Sequence, residues 1–519
     1  MRSGGGEFCW AVGALDGSQA KQVMVASCVL QHAEGRFAGL WGLLVQFLRQ
    51  RVLCDERKAR WRILFVAVGK APLAKVSAGY CKNSANNCSC AVAFFVVSWY
   101  YFVNIFFTQE VGMNKEKIMK ILRDTARVRT GGSQQELETA QYLQGVCKNM
   151  GLDAHLEAFE VDMATMHTAS LHIDGKEVHC KGYFNCGSGE VEAPLCYLTS
   201  TDAYSLSQVK GKIVLIDGYM RHWMYQDLLE HGALAFISYD GNANFVDSDI
   251  DQRELRAQVH NGKKILGVSI NAKDAIKIVK NDGQMAKIVV KQDEYKGNSH
   301  NVVAEIKGEI PQTIVFTAHY DSTSLSQGVY DNMSGSVGLV GIAEYFAKHQ
   351  PRHTLKFVWC GSEERGLLGS KAYCAMHEEQ LKDVVLCINL DMIGSIMGRF
   401  IACCTSEEAL VHYVQYFAKE VGKGISANQD VYSSDSTPFA DKGVPAISFA
   451  RLAPGNTAPI HNRYDTLSVM KAEHMQEDIE FVLEFAKRMA NSACCPVERK
   501  MPDNMKDKLD LYLCRKRGK

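Results

Sequence analysis

The sequence has no excess of charge of either sign. Its 58 Lys and Arg face 58 Asp and Glu, so the balance does not point to nucleic acid or any other polyanion as a partner. Compositional bias is also missing. Hydrophobic residues make up 47% and charged residues 22%, which excludes a disordered, collagen-like or multi-span membrane chain. There are no internal repeats and no long low-complexity stretch. The 18 cysteines show no paired spacing, which excludes a disulfide framework. Cys360 and Cys387 lie inside apolar runs, as buried reduced thiols of a cytosolic protein do. The extreme N-terminus lacks the compact basic-then-apolar block of a cleavable signal peptide. A length of 519 residues gives about three domains as a prior.

The neutral total hides an asymmetry. Residues 1–112 carry 12 Lys and Arg against 6 Asp and Glu, while the remaining 407 carry 46 against 52. Trp10, Trp41, Trp61 and Trp99, four of the six tryptophans, also fall in this first part. Residues 91–107, AVAFFVVSWYYFVNIFF, are 17 nearly uncharged residues, at the lower edge of what spans a bilayer. Lys70, Lys75 and Lys82 precede them, an arrangement that would leave the following chain outside a cell, anchored through 91–107. A second expectation competes with this. Gln109-Glu110-Val111 can be encoded by codons that hold a ribosome-binding sequence, and it stands just before Met113. On that expectation translation starts at Met113, residues 1–112 are upstream sequence, and the protein is cytoplasmic without membrane contact. Cys81, Cys88 and Cys90 have no fourth ligand at metal-binding spacing and carry no site.

After Met113 the patterning becomes regular. Ile118, Ile121, Leu122 and Ala126 share one helix face, and Ser133 can cap a second helix that carries Leu137, Ala140, Leu143 and Val146. HLEAFEV (155–161) alternates as a strand does. From 165 to 296 short strand candidates such as KGKIVLID and ALAFISYD dominate, without paired carboxylates or histidine clusters, as in a β-rich, non-catalytic insert. From 300 strands and helices alternate: TIVFTA, LKFVWC, VVLCINL and PAISFA are strands with helices between them. Such alternation predicts an α/β fold, a mostly parallel central sheet with helices on both faces. The domain reading is therefore 113–164 with 297–495, an insert at 165–296, and a C-terminal tail at 496–519, in which the run Arg515-Lys516-Arg517 is expected to be solvated.

Ligands of open α/β sheets bind beyond the carboxyl ends of the strands. Three predicted strands end there in hard metal-ligand residues. TIVFTA runs into His319-Tyr320-Asp321, LKFVWC into Glu363-Glu364, and VVLCINL into Asp391. Asp331 precedes a helix, and His461 stands in the loop after the last strand. Two histidines and three carboxylates suit divalent ions with mixed N/O ligands, Zn²⁺ first. A carboxylate shared by two ions would make a co-catalytic pair. Adjacent Glu363 and Glu364 cannot easily serve one metal, which leaves one as ligand and the other as base toward water.

These residues resemble the co-catalytic di-zinc aminopeptidases of metallopeptidase clan MH, relatives of glutamate carboxypeptidase and the transferrin receptor. The motifs are AHYDS (318–322), YDNMSG (330–335), GSEERGLLGS (361–370), NLDMIG (389–394) and HNRYDT (461–466), with SDSTPF (434–439) and GVPA (443–446). The resemblance implies two Zn²⁺ per chain, with Asp331 bridging, His319 and Asp391 completing one site, and Glu364 and His461 the other. It implies Glu363 as general base toward a bridging water and Asp321 as the carboxylate orienting His319. The peptide bond before Asn332 is often strained in that family. Asp435 and Tyr464 become candidates for substrate contact, although Asp435 equally suits a turn before Pro438 and Tyr464 suits packing. The insert resembles a protease-associated domain, through KGKIVL, HGALAFI and the strand near 264–270.

The function expected is therefore hydrolysis of N-terminal peptide bonds, with peptides as substrates, no nucleic-acid partner, and homo-oligomerisation left open. A carboxypeptidase of the glutamate-carboxypeptidase kind is the chief rival and would need a cation for the substrate carboxylate; Arg365, Arg451 and Arg463 are available. A receptor-like relative would have lost metal ligands, whereas all five are present. A glutaminyl-cyclase-like relative would use one zinc, usually without an insert.

Overall fold

The computed structural model describes residues 113–244, 249–281, 283–455 and 457–518. The candidate anchor at 91–107 and the rest of 1–112 lie outside them. Among the described residues no helix is long and apolar enough to cross a membrane.

In chain order the strands are β1 (Ala154–Ile173), β2 (Lys176–Val178), β3 (Cys180–Gly182), β4 (Gly189–Leu198), β5 (Ile213–Ile216), β6 (Ala235–Asp240), β7 (Leu266–Asn271), β8 (Met285–Ile306), β9 (Ile310–His319), β10 (His353–Cys360), β11 (Val384–Leu390), β12 (Arg399–Thr405), β13 (Ser426–Gln429) and β14 (Ala446–Leu452). They follow one hydrogen-bonded path, β13-β12-β14-β11-β9-β10-β8-β4-β5-β6-β7-β3, with β1 laid along β8 and β2 along β1. The predicted parallel sheet is present: β10, β9, β11 and β14 pair parallel in that order. β12 closes antiparallel on β14, and β8 antiparallel on β10. The unbroken apolar runs of β9 and β11 are buried on both faces, as strands covered by helices on each side require. Phe316 and Phe357 stack between β9 and β10, and Trp359 donates its indole N–H to the Ser336 carbonyl on the helix Ser334–Phe346. Truncating such a ring costs about 3–5 kcal/mol.

The insert has its own apolar core, built on Ile213, Leu215, Phe236, Val268 and Ile288. Its central strands β4 to β7 also pair parallel, with helix His222–Glu230 between β5 and β6 and helix Ala272–Ile278 following β7. The predicted boundaries at 165 and 296 do not fall in linkers. They lie inside β1 and β8, which pair antiparallel from Ala154↔Ala304 to Ile173↔Ala286 with one register shift between Met166 and Thr168. A polar stretch, Lys291 to Asn298, imitates a linker in sequence, but here it is the solvated middle of a two-stranded ribbon.

Residues 496–518 are more than an irregular tail. They contain the helix Asp503–Tyr512, whose Met505 and Leu509, with Met501, join a core cluster under Phe439 and Val444. Beyond it Arg515 pairs with Asp441, and Arg517 pairs with Asp227 of the insert. Arg515 and Arg517 thus meet acids that sequence distance hid, while Lys516 pairs locally with Asp507 and Asp510.

Candidate metal centre

Every candidate ligand sits at the carboxyl edge of the parallel strands. β9 delivers His319 as its last residue, β10 leads into Gly361-Ser362-Glu363-Glu364, and β11 leads into Asp391. Asp331 lies in a one-turn segment, Val329–Met333, directly before the helix Ser334–Phe346. The Asp331–Asn332 peptide bond is cis. His461 comes from the loop after β14 and is the most accessible of the five, with 40% of its side chain exposed.

The five residues form two trios that share Asp331. His319, Asp331 and Asp391 present one ligand atom each within 4.8 Å of one another, and so do Asp331, Glu364 and His461. The two oxygens of Asp331 face opposite partners: Oδ1 lies 3.2 Å from His319 Nε2, and Oδ2 lies 3.1 Å from His461 Nε2. Glu364 Oε2 is 3.1 Å from the same His461 nitrogen, and Asp391 Oδ1 is 3.7 Å from His319 Nε2. Glu363, the neighbour of Glu364, turns toward the other trio, with Oε2 3.8 Å from His319 Nε2.

The electrostatics of the cluster follow from packing acids and imidazoles together. Burial pushes the Glu363 carboxyl well above the usual range, and Glu364, Asp435 and Asp391 push it further. Burial also raises Glu364, although His461 opposes the shift. Burial opposes charge on both imidazoles, yet Glu363 beside His319 and Glu364 beside His461 hold them well above their ordinary values. Asp331 goes the other way: burial would raise it, but its two histidine partners draw it down. Asp391 Oδ1, Glu364 Oε1 and His319 Nδ1 are buried with no hydrogen-bond partner among the described residues. An orphaned buried polar group costs ~1–3 kcal/mol, more when charged. Unsatisfied carboxylate oxygens converging with imidazole nitrogens are what divalent ions relieve, and this N/O donor set fits zinc.

Several residues shape the site without belonging to either trio. Asp321 is fully buried and accepts from the N–H groups of Glu363 (2.9 Å) and Glu364 (3.2 Å). Its Oδ1 also lies 3.4 Å from His319 Nδ1. Glu136 accepts from the N–H of Ser362 (2.8 Å) and from the hydroxyls of Ser362 and Ser299. Burial and the charge of Asp321 lift Glu136 to about 8. Asp465 accepts from the N–H groups of Tyr330 (2.7 Å) and Asp331 (3.1 Å) and from Ser326. Asn332 donates to the Leu390 carbonyl and accepts from Met392 N–H, so it grips both flanks of Asp391. Beneath them the buried Arg129 donates to the carbonyls of Tyr320 and Gly328, at the ends of the loop between His319 and Asp331.

The two substrate candidates separate. Tyr464 is 42% exposed on the His461 loop. Asp435 corrects the expectation: it is 0% exposed, and its Oδ1 accepts from Ser370 (2.6 Å) while Oδ2 has no partner. Burial lifts it to about 7, against the pull of His319. Its carboxyl is sealed beneath the surface, and Asp435 stands as the residue just before the short helix Ser436–Asp441.

Glu136, Arg129 and Asp465 escaped the sequence reading. Ser133-x-x-Glu136 has the form of a capping box, and Ser133 does accept from Glu136 N–H. That local role hides the second one, 226 residues away at Ser362. Asp465 lies inside HNRYDT and could have been singled out there. Arg129 left no signal, because its partners are all backbone carbonyls.

Residues 301–486 match the model of Peptidase family M28. Over 97 residues, 18% of this chain and 20% of the relative, the sequence is 39% identical to leucine aminopeptidase 2 of Trichophyton rubrum. Over 117 residues, 22% of each, it is 38% identical to an aminopeptidase of Pseudomonas aeruginosa strain PAO1. The chain thus spans about a fifth of the length of the curated relatives it matches. Its fold is like that of an aminopeptidase from Aneurinibacillus sp. strain AM-1, with a TM-score of 0.61 and 22% identity, covering 74% of this chain and 96% of that one. It is also like the zinc aminopeptidase of Bacillus subtilis, with a TM-score of 0.62 and 21% identity, covering 75% and 97%.

Proposed function

We propose that this chain, whose residues 301–486 match family M28, is a metallo-aminopeptidase. It binds two zinc ions in the two trios and hydrolyses the N-terminal bond of peptides. The observation that carries the reading is Asp331, whose two oxygens face two separate histidine–carboxylate sets. When bound, such ions polarise a carbonyl oxygen and make water acidic near neutral pH.

The protein's own groups do the rest. Glu363 ligates in neither trio, lies 3.8 Å from His319 Nε2, and is held well above the usual carboxylate range by burial, against the pull of His319. It is the general base that takes a proton from water and returns it to the leaving amine. Asp321 fixes both Glu363 and its neighbour through their N–H groups, so the base and a ligand of the second trio share one anchor. Tyr464 borders the approach from the His461 loop.

The pairing of the three candidate arginines favours aminopeptidase over carboxypeptidase action. Arg365 is held by Glu254, Arg451 by Asp478, and Arg463 by Asp249. A substrate carboxylate would have to displace an acid already in place. Two of the relatives matched over short stretches are likewise aminopeptidases by name. Assay of aminoacyl anilides beside N-blocked dipeptides, with and without chelator, tests the reading. Chelator-sensitive cleavage of the free-amine anilides alone is expected. Turnover confined to blocked substrates, or indifferent to chelator, would overturn it.

A further inference from the structure

The insert reaches the metal centre through one short segment, residues 249–256. Asp249 engages Arg463, two residues beyond His461, through two guanidinium nitrogens. Asp251 accepts from Ser324 (2.6 Å), and the N–H of Gln252 donates to the same hydroxyl (2.8 Å), on the loop between His319 and Asp331. Glu254 accepts from Arg365 Nε (3.0 Å) and Nη2 (2.5 Å). Arg256 Nη2 donates to the carbonyl of Glu364 itself (2.5 Å). The segment is anchored to the insert from behind. Phe184 exchanges main-chain hydrogen bonds with Arg253 and Leu255, and Arg253 pairs with Asp240 at the end of β6.

The grip is uneven. His319 ends β9 and Asp391 directly follows β11, at the edge of the parallel sheet of the catalytic core, and among the described residues segment 249–256 hydrogen-bonds to neither side chain. Glu364 and His461 stand on loops, and the segment holds both: one at its carbonyl, the other through Arg463. His461 is also the most exposed member of the set and has a left-handed backbone, φ 59°. A loop residue in that conformation keeps its geometry only while its neighbours enforce it.

We infer that segment 249–256 of the insert is a positioning element for the Glu364–His461 ion alone, so that the two metal positions differ in affinity and the insert controls the weaker one. The inference rests on the two-ion reading above. Partners of metal ligands typically change affinity 10–100-fold when removed.

Zinc titration of the full chain against a competing chromophoric chelator tests this, with Asp249→Asn and Arg256→Met compared with the unaltered protein. Two binding steps are expected for the unaltered protein. In each variant the tighter step should stay in place and the weaker one should move by about 10-fold or more. The charge reversal Asp249→Arg with Arg463→Asp should restore the weaker step, which a merely structural defect would not allow. Thermal melting of the chelated proteins identifies any variant that fails to fold; Asp249→Glu, which keeps the charge, should then bind like the original. Equal weakening of both steps, or no shift in either, overturns the inference and leaves the two-ion reading intact. One zinc or none on the unaltered protein sinks both.

Discussion

Glu136 and Asp321 divide three consecutive amides between them: Ser362 donates to Glu136, and Glu363 and Glu364 donate to Asp321. Two buried carboxylates, from a helix near the start of the described chain and from the end of β9, thus set the direction of the loop that carries the base and a candidate ligand. Replacing Asp321 by Asn puts a side-chain N–H₂ against a backbone N–H that needs an acceptor. Asp321→Asn should lower kcat about 10–100-fold with a much smaller change in KM. Steady-state kinetics beside a thermal melt checks this; undiminished kcat would remove Asp321 from the machinery.

Glu363 contributes no atom to either trio, so its loss should leave metal binding alone. Glu363→Gln is expected to retain the zinc content of the parent and lose turnover by roughly 10²–10⁴-fold. Metal analysis and kcat on the same sample separate the two effects.

Without metal, the cluster should make stability fall with rising pH. Burial lifts Asp465 to about 6, Asp435 to about 7 and Glu136 to about 8. Their unfolded values lie near 4. The native state therefore holds more protons than the unfolded state across that interval, and stability declines as pH rises from about 4 to about 8. The raised histidines act in the same direction, and the depressed Asp331 opposes them only as pH falls. Melting temperatures of chelated protein at pH 5, 6, 7 and 8 should descend, and saturating zinc should flatten the series. A flat series in chelator counts against the buried-carboxyl account.

Arg451 and Asp478 form a buried ion pair through two guanidinium nitrogens (2.7 and 2.5 Å), and Asp478 also accepts from Gly394 N–H. Removing one partner strands the other charge. Asp478→Ala should cost about 3–5 kcal/mol in denaturant unfolding. A loss under about 1 kcal/mol would show that Arg451 finds water and can serve a ligand.

What the sequence made legible follows from how local each signal is. The strands β9, β10 and β11 announce themselves as short apolar runs because both faces are buried, and their terminal acids and histidine stand out against them. The five candidate ligands and Glu363 do come together in space. Asp435 misled, since its motif places it beside the site while burial keeps it from the surface. The helix Asp503–Tyr512 was hidden because its apolar face is only Met505 and Leu509 among charges. Long-range polar contacts, such as Glu136 to Ser362 or Arg517 to Asp227, leave no periodic trace.

The ribbon of β1 and β8 makes the two cores mechanically one piece. Neither strand pauses between them, so the insert cannot hinge as a tethered bead; it can only move by bending or twisting a continuous ladder. The same ladder cannot be cut away. Val302 and Val303 of β8 pair with Trp359 and Val358 of β10, next to the loop of Glu363, so a cut that removed all of β8 would strip the catalytic sheet of a neighbouring strand there. Bending along that ladder would therefore act on the end of β8 that borders the loop of Glu363.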